Sequence, residues 1–134
     1  SDITHCGGVG NGQVVKILNN MVLFQTVNAL AEALALGRRS GVEPALLFDA
    51  LSKGSADSFA LRNHGMKAML PDNDPERAFS VEYAAKDNGY ALELGRETGV
   101  RLRGASLLQE VFDEARAAGL GAAYWPAIAR LLDA

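Results

Sequence analysis

Cysteine is almost missing from this sequence. Cys6 is the sole thiol in 134 residues, so no disulfide can close within the chain, and a reducing compartment, the cytoplasm, is expected. Histidine is nearly as scarce. His5, Cys6 and His64 have neither the number nor the spacing of a zinc site, and no metal is expected. Positive charge is not in excess: the net charge is −3 and the isoelectric point is about 5.3. That argues against nucleic acid or an anionic membrane as a main partner, because both call for a basic surface. The pairs Arg38-Arg39 and Arg101/Arg103 read as solvated helix ends. Only four prolines occur and 49% of residues are hydrophobic, which favours a packed core over disorder. The N-terminus has no basic segment followed by an apolar one, so no secretory signal is read there. Alternating apolar and polar residues are absent over any useful length, as are internal repeats and low-complexity tracts. These absences leave an all-α fold of about six helices, in one domain of a size that holds a single core.

The most conspicuous presence is an apolar stretch from Val14 to Leu36. It is long enough to raise the question of a membrane span, but Asn19, Asn20, Gln25, Asn28 and Glu32 interrupt it, so a helix of a soluble protein is expected. A helix over 12–39 would be roughly 40 Å long. It is apolar nearly all round, through Val14, Ile17, Leu18, Met21, Val22, Phe24, Val27, Leu30 and Leu34. Such a helix is central to its domain or passes from its own core into a partner surface. Gly37 and Gly41 mark its end.

Shorter helices follow. Pro44 suits the first turn of a helix over 44–53, with Leu46, Leu47, Phe48 and Leu51 as its core side. A helix over 58–69 is expected, with a break near Gly65, and then a polar turn at Pro71-Asp-Asn-Asp-Pro75. A fourth helix covers 80–98, where Val81, Ala84, Ala85, Tyr90 or Ala91, Leu92 and Leu94 give an uneven apolar face and Gly99 stands at the C-terminal end. A fifth covers 104–118 on Leu107, Leu108, Val111, Phe112 and Ala115. The last covers 124–132, anchored by Trp125, Ile128, Leu131 and Leu132.

Chemistry concentrates at the start of the long helix. In Gly7-Gly-Val-Gly10-Asn-Gly12-Gln-Val-Val-Lys16-Ile-Leu-Asn19-Asn20, Asn11 is an expected N-cap. Gln13, Lys16 and Asn20 then share one face, forming a polar strip on an otherwise apolar helix, beside free N–H groups that attract anions. A lysine in a partly dry site near a helix start has its charged form disfavoured and can exchange a proton with a hydroxyl or carbonyl. Asn20 offers two donors and an acceptor to orient that oxygen. The same residue types also serve structure: a lysine there can snorkel to water and an asparagine can bond locally, so spacing alone leaves both readings open. A second feature is Phe79-Ser-Val-Glu-Tyr-Ala-Ala-Lys86-Asp87. Phe79 and Lys86 lie two helical turns apart, so Phe79 would anchor in the core while Lys86 emerges beside it. Alone, a Lys-Asp pair on a helix reads as surface decoration.

The first motif resembles the opening of the C-terminal helical domain of the β-hydroxyacid dehydrogenases. That family includes 3-hydroxyisobutyrate dehydrogenase, tartronate semialdehyde reductase and, more distantly, 6-phosphogluconate dehydrogenase. The resemblance implies that Lys16 is the catalytic lysine and Asn20 the substrate-orienting asparagine. The Phe-x(6)-Lys-Asp pattern occurs in the same family and implies that Lys86 reaches the cofactor, NAD or NADP. Gly119-Leu-Gly121 with Trp125 and Ala127 resembles the family's closing segment, although Tyr124 stands where an acidic residue is usual. The loop from Lys53 to Ser58 resembles a serine-containing family loop too loosely to assign roles.

The resemblance covers nearly all of this chain and less than half of a family member. The family's N-terminal Rossmann domain has a glycine-rich phosphate loop after its first strand. The glycines at 7, 10 and 12 follow no strand-like run and are not that fingerprint. Residues 1–134 are therefore expected to form a single helical substrate and dimerisation domain, with the cofactor domain outside it. A small 3-hydroxy acid is the expected substrate and a homodimer the expected assembly. Two rival readings remain at this stage: a non-catalytic helical dimerisation or interaction module, and an acidic helical regulator, which has only composition behind it.

Overall fold

A computed structural model describes residues 10–72 and 78–132, and among them it contains helices and no strand. The expected linker over 1–6, Gly7 and the part of the polar turn beyond Asp72 lie outside the described residues.

The long helix is α1, Asn11–Arg39. Its start differs from the expected cap. Gly10, not Asn11, flanks the helix, at φ 91°. The Gly10 carbonyl accepts from Val14 N at 3.2 Å, the first bond of the ladder. A glycine takes that left-handed angle without the Cβ cost that Asn11 would bear. The other end closes as a two-bond turn. Val42 N donates to Gly37 O at 2.9 Å and Gly41 N to Arg38 O at 3.1 Å, with Gly41 at φ 88°. This is the Schellman arrangement, and Arg38 and Arg39 in the last turn suit the negative end of the helix dipole.

By length and composition α1 is apolar enough to cross a membrane. Its buried residues, however, are Phe24, Val27, Leu30, Ala31 and Leu34, all from the middle of the helix onward, where they form the spine of the core. Phe24 meets Phe112 edge-on at 5.5 Å between ring centroids and Trp125 at 4.9 Å. The other elements gather around this spine, as expected for a bundle built on one central helix.

Helix α2, Pro44–Ser52, starts with Pro44 in its first turn, and the Glu43 carboxylate caps it by accepting from Ala45 N and Leu46 N. Phe48 is fully buried, Leu47 and Leu51 are partly so, and Leu46 is 61% exposed. Three consecutive residues cannot share one helical face, which corrects the expected core side.

The next element departs most from expectation. Leu61–Met69 is a π-helix with no break at Gly65. Leu70 N donates to Gly65 O at 2.9 Å, the wider spacing that defines this winding. Gly65 lies against the ring of Phe48, and a Cβ there would stand 3.1 Å from Phe48 Cε2. The wider turn accompanies close packing on α2.

Helix α3, Val81–Thr98, is capped by Ser80 Oγ, which accepts from Tyr83 N, and it ends at Gly99 with φ 76°. Its free first-turn donors are met by the closing segment: Val81 N bonds Ala123 O and Glu82 N bonds Gly121 O, both at 2.9 Å. Helix α4, Arg103–Ala117, buries Ala105, Leu108, Phe112 and Ala115, while Leu107 is half exposed. The chain then closes in a 3-10 helix, Trp125–Leu132, with Trp125 and Ile128 buried and Leu131 and Leu132 partly buried. Trp125 N donates to Phe79 O at 2.9 Å, so this segment is stitched to the strip before α3.

Candidate functional site

The polar strip of α1 lies on the part of the helix that precedes its core spine. Lys16 is exposed, and its neighbours Val15, Leu18 and Val22 are 44%, 39% and 59% exposed. The expectation of a partly dry lysine is therefore not met within this chain, because the fully buried positions of α1 begin only at Phe24. Lys16 and Asn20 do share a face, one turn apart. Among the described residues Lys16 has no hydrogen bond or ion pair, so its amine is available to a ligand.

Asn20 is half-buried and reaches across to α3. Its Nδ2 donates to Asp87 Oδ2 at 2.6 Å, a bond between residues 67 positions apart. Asn19 Nδ2 in turn lies 3.3 Å from Asn20 Oδ1. The bond to Asp87 brings the polar strip of α1 beside the helical turn that carries Lys86. Lys86 is exposed and, among the described residues, makes no hydrogen bond or ion pair. The two sequence motifs thus meet at one edge of the α1–α3 pair. An exposed, uncommitted ammonium at this edge fits a group that carries phosphates or hydroxyls, as a dinucleotide does.

Phe79 sits differently from expectation. It precedes the Ser80 cap, so it is not on the helix that carries Lys86 and the shared-face argument does not apply. It is 41% exposed and covers the aromatic cluster instead of entering it, with its ring stacked over Phe24 at 6.3 Å and near Tyr83 at 6.0 Å.

The sequence named Asp87 but gave it no partner, since nothing in local spacing signals a bond across 67 positions. Asn88 was missed outright. It is 1% exposed, donates to Ala105 O and Gln109 Oε1, each at 2.9 Å, and ties α3 to α4 just behind the Lys86-Asp87 turn. Its place in the buried series Val81, Ala84, Ala85, Asn88, Ala91 was the available signal. His64 lies elsewhere, on the π-helix, with its ring 5.1 Å from Trp125 and 6.4 Å from Tyr124. Burial lowers the His64 pKa from its ordinary 6.5 and raises that of Tyr124.

Comparison with known proteins settles the family. Residues 10–132 match the family described as NAD-binding of NADP-dependent 3-hydroxyisobutyrate dehydrogenase. The chain belongs to this family. It is 37% identical over 120 residues to 2-(hydroxymethyl)glutarate dehydrogenase of Eubacterium barkeri, covering 90% of this chain and 40% of that protein. It is 33% identical over 117 residues to glyoxylate/succinic semialdehyde reductase 1 of Arabidopsis thaliana, covering 87% and 40%. Among solved structures, 3-hydroxyisobutyrate dehydrogenase of Mycobacterium tuberculosis with L-serine superposes with a TM-score of 0.85 at 27% identity, over 96% of this chain and 46% of that one. The all-α bundle is therefore the helical part of this family's architecture, and the chain spans about 40% of the length of the curated relatives it matches.

Proposed function

We propose that this chain supplies the proton-transfer lysine of an NAD(P)-dependent dehydrogenase acting on a small 3-hydroxy acid, with the cofactor held mainly by a Rossmann domain outside the 134 residues. The observation that carries the reading is the Asn20–Asp87 bond, which sets the Lys16–Asn20 face of α1 against the turn of α3 that bears Lys86. The names of the relatives suggest the substrate class. 2-(Hydroxymethyl)glutarate, 3-hydroxyisobutyrate and L-serine each carry a primary hydroxyl one carbon from the carbon that bears the carboxylate.

A nicotinamide ring, when bound, accepts or returns a hydride. Lys16 Nζ takes the hydroxyl proton as the carbon–oxygen double bond forms, and returns it in the reductive direction. Asn20 holds the same oxygen by hydrogen bonding, and Lys86 binds the cofactor at the cleft edge. The exposure of Lys16 accords with a cleft whose other wall is the missing cofactor domain, and closing that wall would dry the amine. Cytoplasmic location belongs to the same proposal.

Replacing Lys16 by Ala in the full-length protein tests this reading, with turnover of 3-hydroxyisobutyrate and 2-(hydroxymethyl)glutarate followed by NADH or NADPH absorbance. Loss of a positioned general base lowers turnover by about 10²–10⁴-fold. Folding should be retained, because Lys16 is exposed and unpaired among the described residues. Near-normal turnover in that variant ends the assignment.

A second role has its own observation. Val15, Leu18 and Val22 form an exposed apolar stripe at helical spacing along the first half of α1. We propose that it packs in a homodimer, which would also serve the rival reading of a non-catalytic dimerisation module. Light scattering on the full-length protein gives the mass that decides the assembly, and the Lys16 variant decides between catalyst and scaffold.

A further inference from the structure

We propose that Asp87 is a positioning residue that fixes which end of the Asn20 carboxamide faces the substrate, an inference that rests on the dehydrogenase reading above. The oxygen and nitrogen of an asparagine amide are nearly alike in shape, and only hydrogen bonding decides their orientation. Here the decision is forced. A carboxylate has no proton to give, so the group 2.6 Å from Asp87 Oδ2 is the amide nitrogen. Oδ1 is then the turned-away end, where Asn19 Nδ2 already donates to one lone pair at 3.3 Å. What Asn20 can offer a ligand is the remaining lone pair of Oδ1 and the second N–H. That pair suits an alcohol oxygen, which donates one hydrogen bond and accepts another. Asp87 lies in the chain directly after Lys86, so the residue that sets the substrate-facing amide belongs to the helical turn assigned to the cofactor.

The test compares full-length wild type, Asp87→Asn, Asn20→Ala and the double variant, with 3-hydroxyisobutyrate and 2-(hydroxymethyl)glutarate as probes. Asp87→Asn keeps the shape and lets either end of Asn20 face α3. A lost oriented hydrogen bond corresponds to a rise in KM for the hydroxy acid of about tenfold. The KM for NAD(P) should stay within about twofold, and Asp87→Asn should add nothing in the Asn20→Ala background, because a positioning residue acts only through its partner. A role in stability alone predicts an unchanged hydroxy-acid KM in Asp87→Asn, with the loss of the Asn20 contact read only as a lowered Tm. Either unchanged KM or additivity overturns the proposal. Lys16→Ala in the same assay separates the two levels. If it abolishes turnover while Asp87→Asn is silent, only the positioning role falls. If it leaves turnover intact, or wild type turns over neither acid, the dehydrogenase reading falls and takes this one with it.

Discussion

Gly89 and Gly95 stand six residues apart on α3 in opposite surroundings. A Cβ on Gly89 would meet nothing within 4 Å, whereas one on Gly95 would stand 2.8 Å from Leu102 Cδ1 and 3.0 Å from the Val100 carbonyl oxygen. The second contact is with backbone, fixed by the bond from Val100 N to Gly95 O at 3.0 Å. Gly95 is therefore what lets the chain fold back from α3 into α4.

The two glycines predict opposite signs from one substitution. Gly89→Ala removes backbone freedom from the unfolded chain and should stabilise the fold by about 0.5–1 kcal/mol. Gly95→Ala forces the α3–α4 turn outward and should cost about 1–3 kcal/mol, as overpacking does. Urea unfolding midpoints of the two variants against wild type measure both, and equal shifts of one sign would contradict this account.

Much of the fold was legible because its punctuation is local. Gly41 and Gly99 take the left-handed angles that end helices, Pro44 and Ser80 open them, and the number of helical elements follows. The π winding of Leu61–Met69 was not legible. Its residues carry the same apolar signal as an α-helix, and the close approach of Phe48 to Gly65 is a tertiary fact. Leu46 and Leu107 misled for a related reason: Leu46 precedes the partly buried Leu47 and Leu107 the buried Leu108, and apolar character alone does not say which of two neighbours faces in. Family likeness singled out Lys16, Asn20 and Lys86, but the exposure of Lys16 depends on where the core of α1 begins. The pairing of Asn20 with Asp87 depends on how α1 crosses α3, which no stretch of sequence encodes by itself.

His64 gives a pH dependence with a definite sign. Its Nδ1 is buried and, among the described residues, has no hydrogen-bond partner, so protonation there would bury an N–H with no acceptor among them, and burial lowers the folded-state pKa below 6.5. The unfolded chain therefore binds this proton more readily than the folded one. The stabilising contribution is fully present above pH 6.5. It declines as pH falls from 6.5 to the lowered folded value, and is constant below that. Between pH 7.5 and 5, the urea midpoint of wild type should fall more than that of His64→Gln, and the difference between the two curves isolates this group from the carboxylates. Parallel curves would mean that His64 titrates alike in both states.

The bond between Asn20 and Asp87 also has a stability consequence that needs no substrate. It joins α1 to α3 ahead of the fully buried positions of α1, which begin at Phe24. Removing either partner loses the same interaction, so the two losses cannot add. A charge-assisted hydrogen bond in a half-buried site suggests a coupling of about 1–1.5 kcal/mol between Asn20→Ala and Asp87→Ala in a double-mutant cycle. The cycle requires four urea unfolding curves. The same cycle on Asn20 and Lys86 should give a coupling near zero, because Lys86 shares the helical turn but makes no bond to Asn20. A coupling with Lys86 as large as that with Asp87 would show that the α1–α3 edge is held by general charge and not by this one oriented contact.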